Sequence, residues 1–497
     1  MGLPTGWTLC EIGDVLEPVQ KTGKHDEDRT IRYVDISSID NRCNRISAPK
    51  QMRLADAPSR ARQKICTGDV LFSTVRPYLR NIARVDPSLD GEIASTGFAV
   101  LRGSFGIDPR YLYYKTVSHD FVSALTGEQY GVSYPAVKEE QVKAQPLELP
   151  PTEEQRRIAD CIESLFDEID QGVESLRAAR RGIEQYRQSL LKAAFEGRLT
   201  ADWRLRNLDK TENGRSLFAR IRKQREQSYQ TALVNWRDAI DFWYSSGERG
   251  KKPPKPKKLR EYPPELVDLQ IALPQLPSSW IWSYLGWCST GPEYGTSAKS
   301  SEHGDVPVIR MGNLQDGRID WENLVYTSDR TEIERYLLNA GDVLFNRTNS
   351  PELVGKSAIY RGERRALFAG YLVRVNQIAD IAFGPYVAYF LNSLVARKHG
   401  NAVKTDGVNQ SNINGTKLQH YPFPFCAIAE QVEIIRILDD RLGAAERLKK
   451  EIDANLALAD AFRQSVLKQA FSGKLVRQNP NDEPASILLE RISAEKT

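Results

Sequence analysis

Residues suited to covalent or metal chemistry are sparse in this chain. The six cysteines, Cys10, Cys43, Cys66, Cys161, Cys288 and Cys426, form no CxxC pair and lie far apart. That excludes a zinc ribbon or dithiol motif and reads as reduced, structural thiols of a cytoplasmic protein. The five histidines show no HxxxH spacing, so no zinc site is expected. No apolar run approaches the roughly 18 residues that a membrane span needs. The start, Met1-Gly2-Leu3-Pro4, lacks a basic, apolar, cleavable signal. Gly355-Lys356-Ser357 ends like a phosphate loop, but Ser350 stands where GxxxxGK[ST] requires glycine. Asn479-Pro480-Asn481-Asp482 begins like an adenine methyltransferase motif and lacks its second proline and its aromatic residue. Without a nucleophile elbow or metal cluster, the 497 residues read as a binder with no catalytic residues and no metal.

Bulk charge is also missing. Residues 1–150 hold 19 basic and 19 acidic side chains, and residues 276–428 hold 15 and 14. Nucleic acid could be bound there only through patterned patches. The excess lies between them: residues 200–275 hold 16 basic and 10 acidic side chains.

What is present is a duplication. Ser189-Leu190-Leu191-Lys192-Ala193-Ala194-Phe195-Glu196-Gly197-Arg198-Leu199 is matched by Ser465-Val466-Leu467-Lys468-Gln469-Ala470-Phe471-Ser472-Gly473-Lys474-Leu475, at an offset of 276 kept without a gap back to Glu154-Gln155 and Glu430-Gln431. Leu3-Pro4-Thr5-Gly6-Trp7 answers Leu276-Pro277-Ser278-Ser279-Trp280, and Gly68-Asp69-Val70-Leu71-Phe72 answers Gly341-Asp342-Val343-Leu344-Phe345. Gly97-Phe98, Tyr111, Tyr114 and Gly131-Val132 answer Gly370-Tyr371, Tyr386, Tyr389 and Gly407-Val408. Elsewhere the two globular stretches differ almost everywhere. A shared scaffold with unlike surfaces suggests two related domains reading two different things.

From Glu153 proline disappears and helix formers dominate. Alternating steps of four and three pick out Ile158, Ile162, Leu165, Ile169, Gly172, Leu176, Ala179, Ile183, Tyr186, Leu190 and Ala193, ten apolar residues and one glycine. The second copy gives Ile434, Leu438, Arg441, Ala445, Leu448, Ile452, Asn455, Ala459, Phe462, Val466 and Gln469, with eight of eleven apolar. These are coiled-coil seams. About 44 residues make a helix of about 66 Å, too long to bury its stripe alone. Antiparallel pairing of the two helices is expected, as a spacer of fixed length, with Asn455 fixing register. The rival is that each stripe packs on its own globular domain. Gly197 and Gly473 stand where each helix should stop.

The expected division is 1–150 and 276–428 for two α+β domains, 151–199 and 429–476 for the helices, 200–275 for a central connector, and 477–497 for a tail. The connector has a helical pattern from Ser216 to Trp243, then the run Lys251-Lys252-Pro253-Pro254-Lys255-Pro256-Lys257-Lys258, which reads as a solvated, extended linker, with phosphate contact as the alternative. Ala485 to Ile492 reads as a short amphipathic helix that loosely echoes Leu217 to Ile221.

After the Gly-Asp strands come polar, aromatic and basic loops. The candidates for DNA contact are Arg76, Tyr78 and Arg80 in the first copy and Asn346, Arg347 and Asn349 in the second. A later loop pair adds Tyr130, Ser133 and Tyr134, and then Asn409, Gln410 and Asn412. Arginine can bond guanine bidentately in the major groove, and asparagine or glutamine can bond adenine. Ordinary surface turns use the same residues.

The order of these motifs resembles the specificity subunit of type I restriction-modification systems across essentially the whole chain. The Leu-Pro-x-x-Trp starts, Gly-Asp-Val-Leu-Phe strands, Glu-Gln helix entries and Phe-x-Gly-Arg/Lys-Leu helix ends carry the resemblance. It implies two target recognition domains, each reading half of a bipartite, asymmetric double-stranded DNA site, with the helix pair setting the gap. It also implies two modification subunits that carry S-adenosylmethionine and methylate adenine, and restriction subunits that use ATP and magnesium. This chain would bind no cofactor. The alternative is a duplicated coiled-coil scaffold that binds only proteins, which has little reason to vary both globular domains while keeping both helices.

Overall fold

A computed structural model describes residues 2–22, 29–126, 136–248, 250, 252–256, 258–267 and 269–496. Two compact units emerge, Met1–Ala179 with Glu451–Thr497, and Arg180–Lys450. The long helices are Thr152–Phe195 and Ile428–Phe471, and each unit holds part of both.

In the first unit an antiparallel sheet runs in the order Leu16–Glu17, Phe98–Gly103, Val70–Ser73, Ile82–Arg84. A second sheet runs Lys50–Arg53, Thr30–Val34, Ile93–Ser95, Ala61–Lys64, with its central pair parallel. Thr8–Glu11 and Pro146–Leu149 form an antiparallel pair that ties the ends of the domain together. The second unit repeats the plan. Glu293–Tyr294, Leu372–Arg374, Val343–Asn346 and Ser357–Ile359 make the first sheet. Val325–Thr327, Val306–Ile309 and Leu367–Phe368 make the second, again with a parallel pair. Ile281–Tyr284 with Pro422–Phe425 closes it. The duplication therefore extends to strands that are not among the sequence anchors.

Physical roles explain why the anchors are shared. Val70, Leu71 and Phe72 are all buried, but Val70 and Phe72 enter one core and Leu71 another, as the two-residue period of a strand between two cores demands. Val343 and Phe345 are split from Leu344 in the same way. The aspartate before each strand closes a turn: Asp69 accepts from the Cys66 N–H at 2.8 Å, and Asp342 from the Asn339 N–H at 2.9 Å. Each also pairs with an arginine of the neighbouring strand, Arg102 at 2.7 Å and Arg374 at 2.8 Å.

The Leu-Pro-x-x-Trp start and the Glu-Gln entry, far apart in sequence, meet. Trp280 Nε1 donates to buried Glu430 at 2.9 Å. Trp7 approaches buried Glu154 at the matching place without a standard hydrogen bond, and burial pushes the Glu154 carboxyl up. Gln155 donates to the Pro150 carbonyl and accepts from the Asp108 N–H; Gln431 donates to the Cys426 carbonyl and accepts from the Phe383 N–H. Both carboxamides thus satisfy loop backbone that burial would otherwise strand.

The end of the second long helix lies in the first unit, where Phe471 meets Tyr111 edge-on at 5.4 Å, and the end of the first lies in the second unit, where Phe195 meets Tyr386 at 5.2 Å. Gly197 and Gly473 have φ of +72° and +67°, and the N–H groups of Arg198 and Lys474 reach back five residues, as in a Schellman cap. A Cβ on either glycine would overlap a proline, Pro277 or Pro4, from a Leu-Pro-x-x-Trp start. The tail helix Ala485–Glu495 buries Ala485, Leu488 and Ile492 in the first unit, and Gly214–Ser245 buries Gly214, Leu217 and Ile221 in the second. The loose echo in sequence is a structural equivalence.

The two helices run antiparallel in the second unit, where Glu184 meets Lys449 at 3.5 Å and Arg187 meets Glu446 at 3.0 Å. In the first unit Arg463 pairs with Asp170 and lies over Phe166. Ile158, Ile162, Ile183, Leu190, Ile434, Leu438 and Ile452 are buried, and Leu165, Ile169, Leu176 and Val466 are partly so. The expected seam of the second helix is wrong at alternate positions. Leu448 is 49% exposed, Phe462 is 60% exposed, and Asn455 is exposed and fixes no register. Leu442 and Ala470 are buried and Leu456 partly so, each one residue beyond an expected position. Lys449 and Arg463 take the places of Leu448 and Phe462, sheltering their stems and pairing their charges with the other helix.

Candidate nucleic-acid interface

In the first unit the buried strand Val70–Ser73 ends in a loop that turns twice through left-handed backbone, at Arg76 (φ +50°) and Arg80 (φ +52°), either side of the short helix Pro77–Leu79. That geometry drives Tyr78 and Leu79 outward, 50% and 39% exposed. Two asparagines outside the expected set hold the turn. Asn41 Nδ2 donates to the Leu79 carbonyl, and Asn44 Nδ2 to the carbonyls of Arg80 and Ile82, all within 3.1 Å. Arg80 Nη2 lies 3.1 Å from His119 Nδ1. Tyr130, Ser133 and Tyr134 lie outside the described residues. The chain resumes at Ala136, which bridges to Val75, so the foot of the second predicted loop stands beside the first.

The second unit repeats this contact as a small sheet. Thr348–Asn349 pairs with Ser411–Asn412, which pairs with Thr405–Asp406. Asn412 Nδ2 donates to Thr348 Oγ1 at 2.8 Å, Ser411 donates to Asp406, and Asn349 Oδ1 accepts from the Ser350 N–H. The hairpin tip is Gly407-Val408-Asn409-Gln410, with Val408, Asn409 and Gln410 exposed. Lys417 Nζ bonds Thr405 Oγ1 at 2.6 Å, which puts an ammonium at the hairpin base. The Ser411 hydroxyl, with Lys404 beside it, lowers the Asp406 carboxyl.

Arg347 is held through its backbone, to Tyr371 and Ile413, and its guanidinium lies 4.9 Å over the Tyr294 ring. Stacking on an aromatic face fixes the plane of an arginine fork. Tyr294 and Tyr371, 40% and 52% exposed, widen the interface and were not in the expected set. The available signal was Tyr371 facing Phe98 across the repeat, since Phe98 is buried.

Asn346 does not belong to this surface. It ends the strand fully buried, so the expected base contact fails; its backbone bonds Lys356 and Gly355, and its carboxamide makes no hydrogen bond among the described residues. Near the same core lies His399, 5% exposed, with its ring 4.8 Å edge-on from Tyr421. Burial, aided by His420, lowers His399 from 6.5 to about 4. A histidine held neutral in the fold but protonated in the unfolded chain stabilises above pH 6.5 and loses that contribution toward pH 4. The expected loss is on the order of 2–3 kcal/mol. Thermal melts of the wild type and His399→Phe between these pH values should differ by that slope.

Among the described residues no three His, Cys, Asp or Glu side chains group to hold a metal, and no helix is long and apolar enough to cross a membrane. The family model for the type I restriction modification DNA specificity domain matches twice, over residues 4–175 and 289–457. The chain belongs to this family. The specificity family includes the EcoKI specificity subunit of Escherichia coli K12, 24% identical to this chain over 364 residues, which are 70% of this chain and 64% of that subunit. The StySPI specificity subunit of Salmonella potsdam is 21% identical over 409 residues, 80% of this chain and 73% of that one. A specificity subunit from Methanocaldococcus jannaschii, putative type I enzyme MjaX, is 30% identical over 190 residues, 37% of this chain and 44% of that one. Among solved structures, a chain of a type I restriction-modification assembly has the same fold, with a TM-score of 0.69 and 24% identity over 95% of this chain and 100% of that one. The HsdS subunit of Thermoanaerobacter tengcongensis gives 0.55 and 23% over 95% and 98%.

Proposed function

We propose that this specificity chain reads a bipartite, asymmetric DNA site and directs adenine methylation and restriction by partner subunits. The observation that carries this reading is the contrast between the two units. Strand pairing, the Asp–Arg turns and the buried Glu-Gln helix entries are shared, while the loops that follow the Gly-Asp strands differ: the short helix Pro77–Leu79 with Tyr78 and Leu79 exposed in one, the strand Thr348–Asn349 paired with Ser411–Asn412 in the other. A common frame carrying unlike tips suits two readers of two half-sites.

Each unit would contact one half-site. The two helices, alike at their Glu-Gln entries and their Phe-x-Gly-Arg/Lys-Leu ends, would offer two modification subunits two equivalent docking surfaces, with restriction subunits outside. S-adenosylmethionine, ATP and magnesium would be held by those partners, in the cytoplasm, and this chain would carry no catalysis. Selection of bound duplexes from a random pool by the chain with its modification subunits should return two short motifs separated by a fixed gap. Purified chain alone should transfer no methyl group; turnover would sink the non-catalytic assignment.

A further inference from the structure

Residues 249–260, Arg-Gly-Lys-Lys-Pro-Pro-Lys-Pro-Lys-Lys-Leu-Arg, carry seven basic side chains and no acidic one. Those of them that the structure describes, 250, 252–256 and 258–260, are held along a helix. Three side chains of the helix Gly214–Ser245 bind backbone carbonyls of this segment in reverse order: Trp243 Nε1 to Gly250 at 3.1 Å, Trp236 Nε1 to Pro253 at 3.0 Å, and Arg225 Nη2 to Arg260 at 2.7 Å. Residues 225, 236 and 243 are spaced by 11 and 7, so they fall on one helix face. The reverse order of the three contacts runs the described residues antiparallel along that face. Leu259 and Tyr262 anchor the strap's end by burial, and Arg225 is enclosed between the Tyr262 and Trp287 rings.

The strap's lysines are placed as well. Lys252 lies 5.4 Å over Trp243 and 5.2 Å over Tyr244, and Lys255 lies 5.5 Å over Trp236. Lys252, Lys255, Lys258 and Arg260 are nevertheless exposed. Lys252, Lys255 and Lys258 recur every three residues. Aromatic contact restrains an ammonium group while leaving N–H donors for another ligand. Prolines 253, 254 and 256 lack the N–H donors that strand pairing needs, so side-chain charge is what this edge offers.

We infer that this strap is a phosphate-binding rail, a contact to the DNA backbone made outside the two recognition domains and independent of sequence. The inference rests on the DNA-reading function proposed above. Cations on a segment already held along a helix neutralise phosphates at a smaller ordering cost than those on a free chain, and they add affinity without specificity.

The test is the salt dependence of duplex binding by the full chain with its modification subunits. Each phosphate contact contributes about 0.9 to the slope of log K against log salt. Replacing Lys252, Lys255 and Lys258 together by Gln should lower the slope by about 2–3. It should weaken specific and random duplexes by the same factor, and replacement by Arg should restore the slope. An unchanged slope with intact assembly overturns the rail. So does loss of the modification subunit with unchanged DNA binding, which would make the strap a protein-docking element. If the wild type shows no preference for any sequence, the function itself has failed, an outcome separate from either result.

Discussion

Glu430→Gln should destabilise the unit spanning residues 180–450 by about 3 kcal/mol, while Glu154→Gln, its counterpart in the repeat, should change stability by less than about 1 kcal/mol. The two carboxylates occupy the same place and do different things. Glu430 accepts from Trp280 Nε1 at 2.9 Å, Thr200 Oγ1 at 2.7 Å and Arg204 at 2.7 Å, and Arg204 is itself mostly buried. Removing that charge leaves a guanidinium in low dielectric with no counter-ion, which costs more than the hydrogen bonds alone. Among the described residues no cation is hydrogen-bonded to Glu154, Arg157 acts on it only at longer range, and burial disfavours its charged form. A neutral amide there removes a cost. The pair is compared by thermal melts at neutral pH. Arg204→Gln added to Glu430→Gln should recover part of the loss, because the uncompensated charge goes with it.

Arg347→Ala should weaken recognition of one half-site by about 10- to 100-fold and leave the other unchanged, the scale of one bidentate base contact. The arginine leaves a strand fixed on both sides, and Tyr294 holds its guanidinium plane. Binding to duplexes with each half-site scrambled in turn reads the effect. Equal weakening on every duplex would instead make Arg347 a phosphate contact. Tyr78→Ala is the complementary variant, expected to affect the other half-site, because Tyr78 is pushed out on the first unit's loop.

The scaffold was readable in the sequence because it is written twice. Val70–Phe72 and Val343–Phe345 are strands between two cores, and Gly197 and Gly473 are helix stops at positive φ. What the spacing could not show was which distant motifs meet. Trp280 reaches Glu430 across 150 residues, and Phe471 reaches Tyr111, contacts that local periodicity does not encode. The second helix's seam was misphased at Leu448 and Phe462 for a related reason. Hydrophobicity favoured those two, whereas Lys449 and Arg463 bury stems and find carboxylates on the other helix. At the interface, residue type chose Asn346 correctly as polar but could not show that its strand ends inside the core. The basic segment misled in the other direction. Proline and lysine suggested a free linker, and only the carbonyl contacts of Trp236 and Trp243 reveal a strap.

Bipartite recognition by this chain is tested most directly by a map of adenine methylation in the genome of a host expressing it with its modification subunits. A two-part motif with a fixed gap that disappears when this chain is deleted is the expected result, with loss of stringency in one part alone in Arg347→Ala. Unchanged methylation on deletion, in a host where the assembly forms and is active, would contradict it.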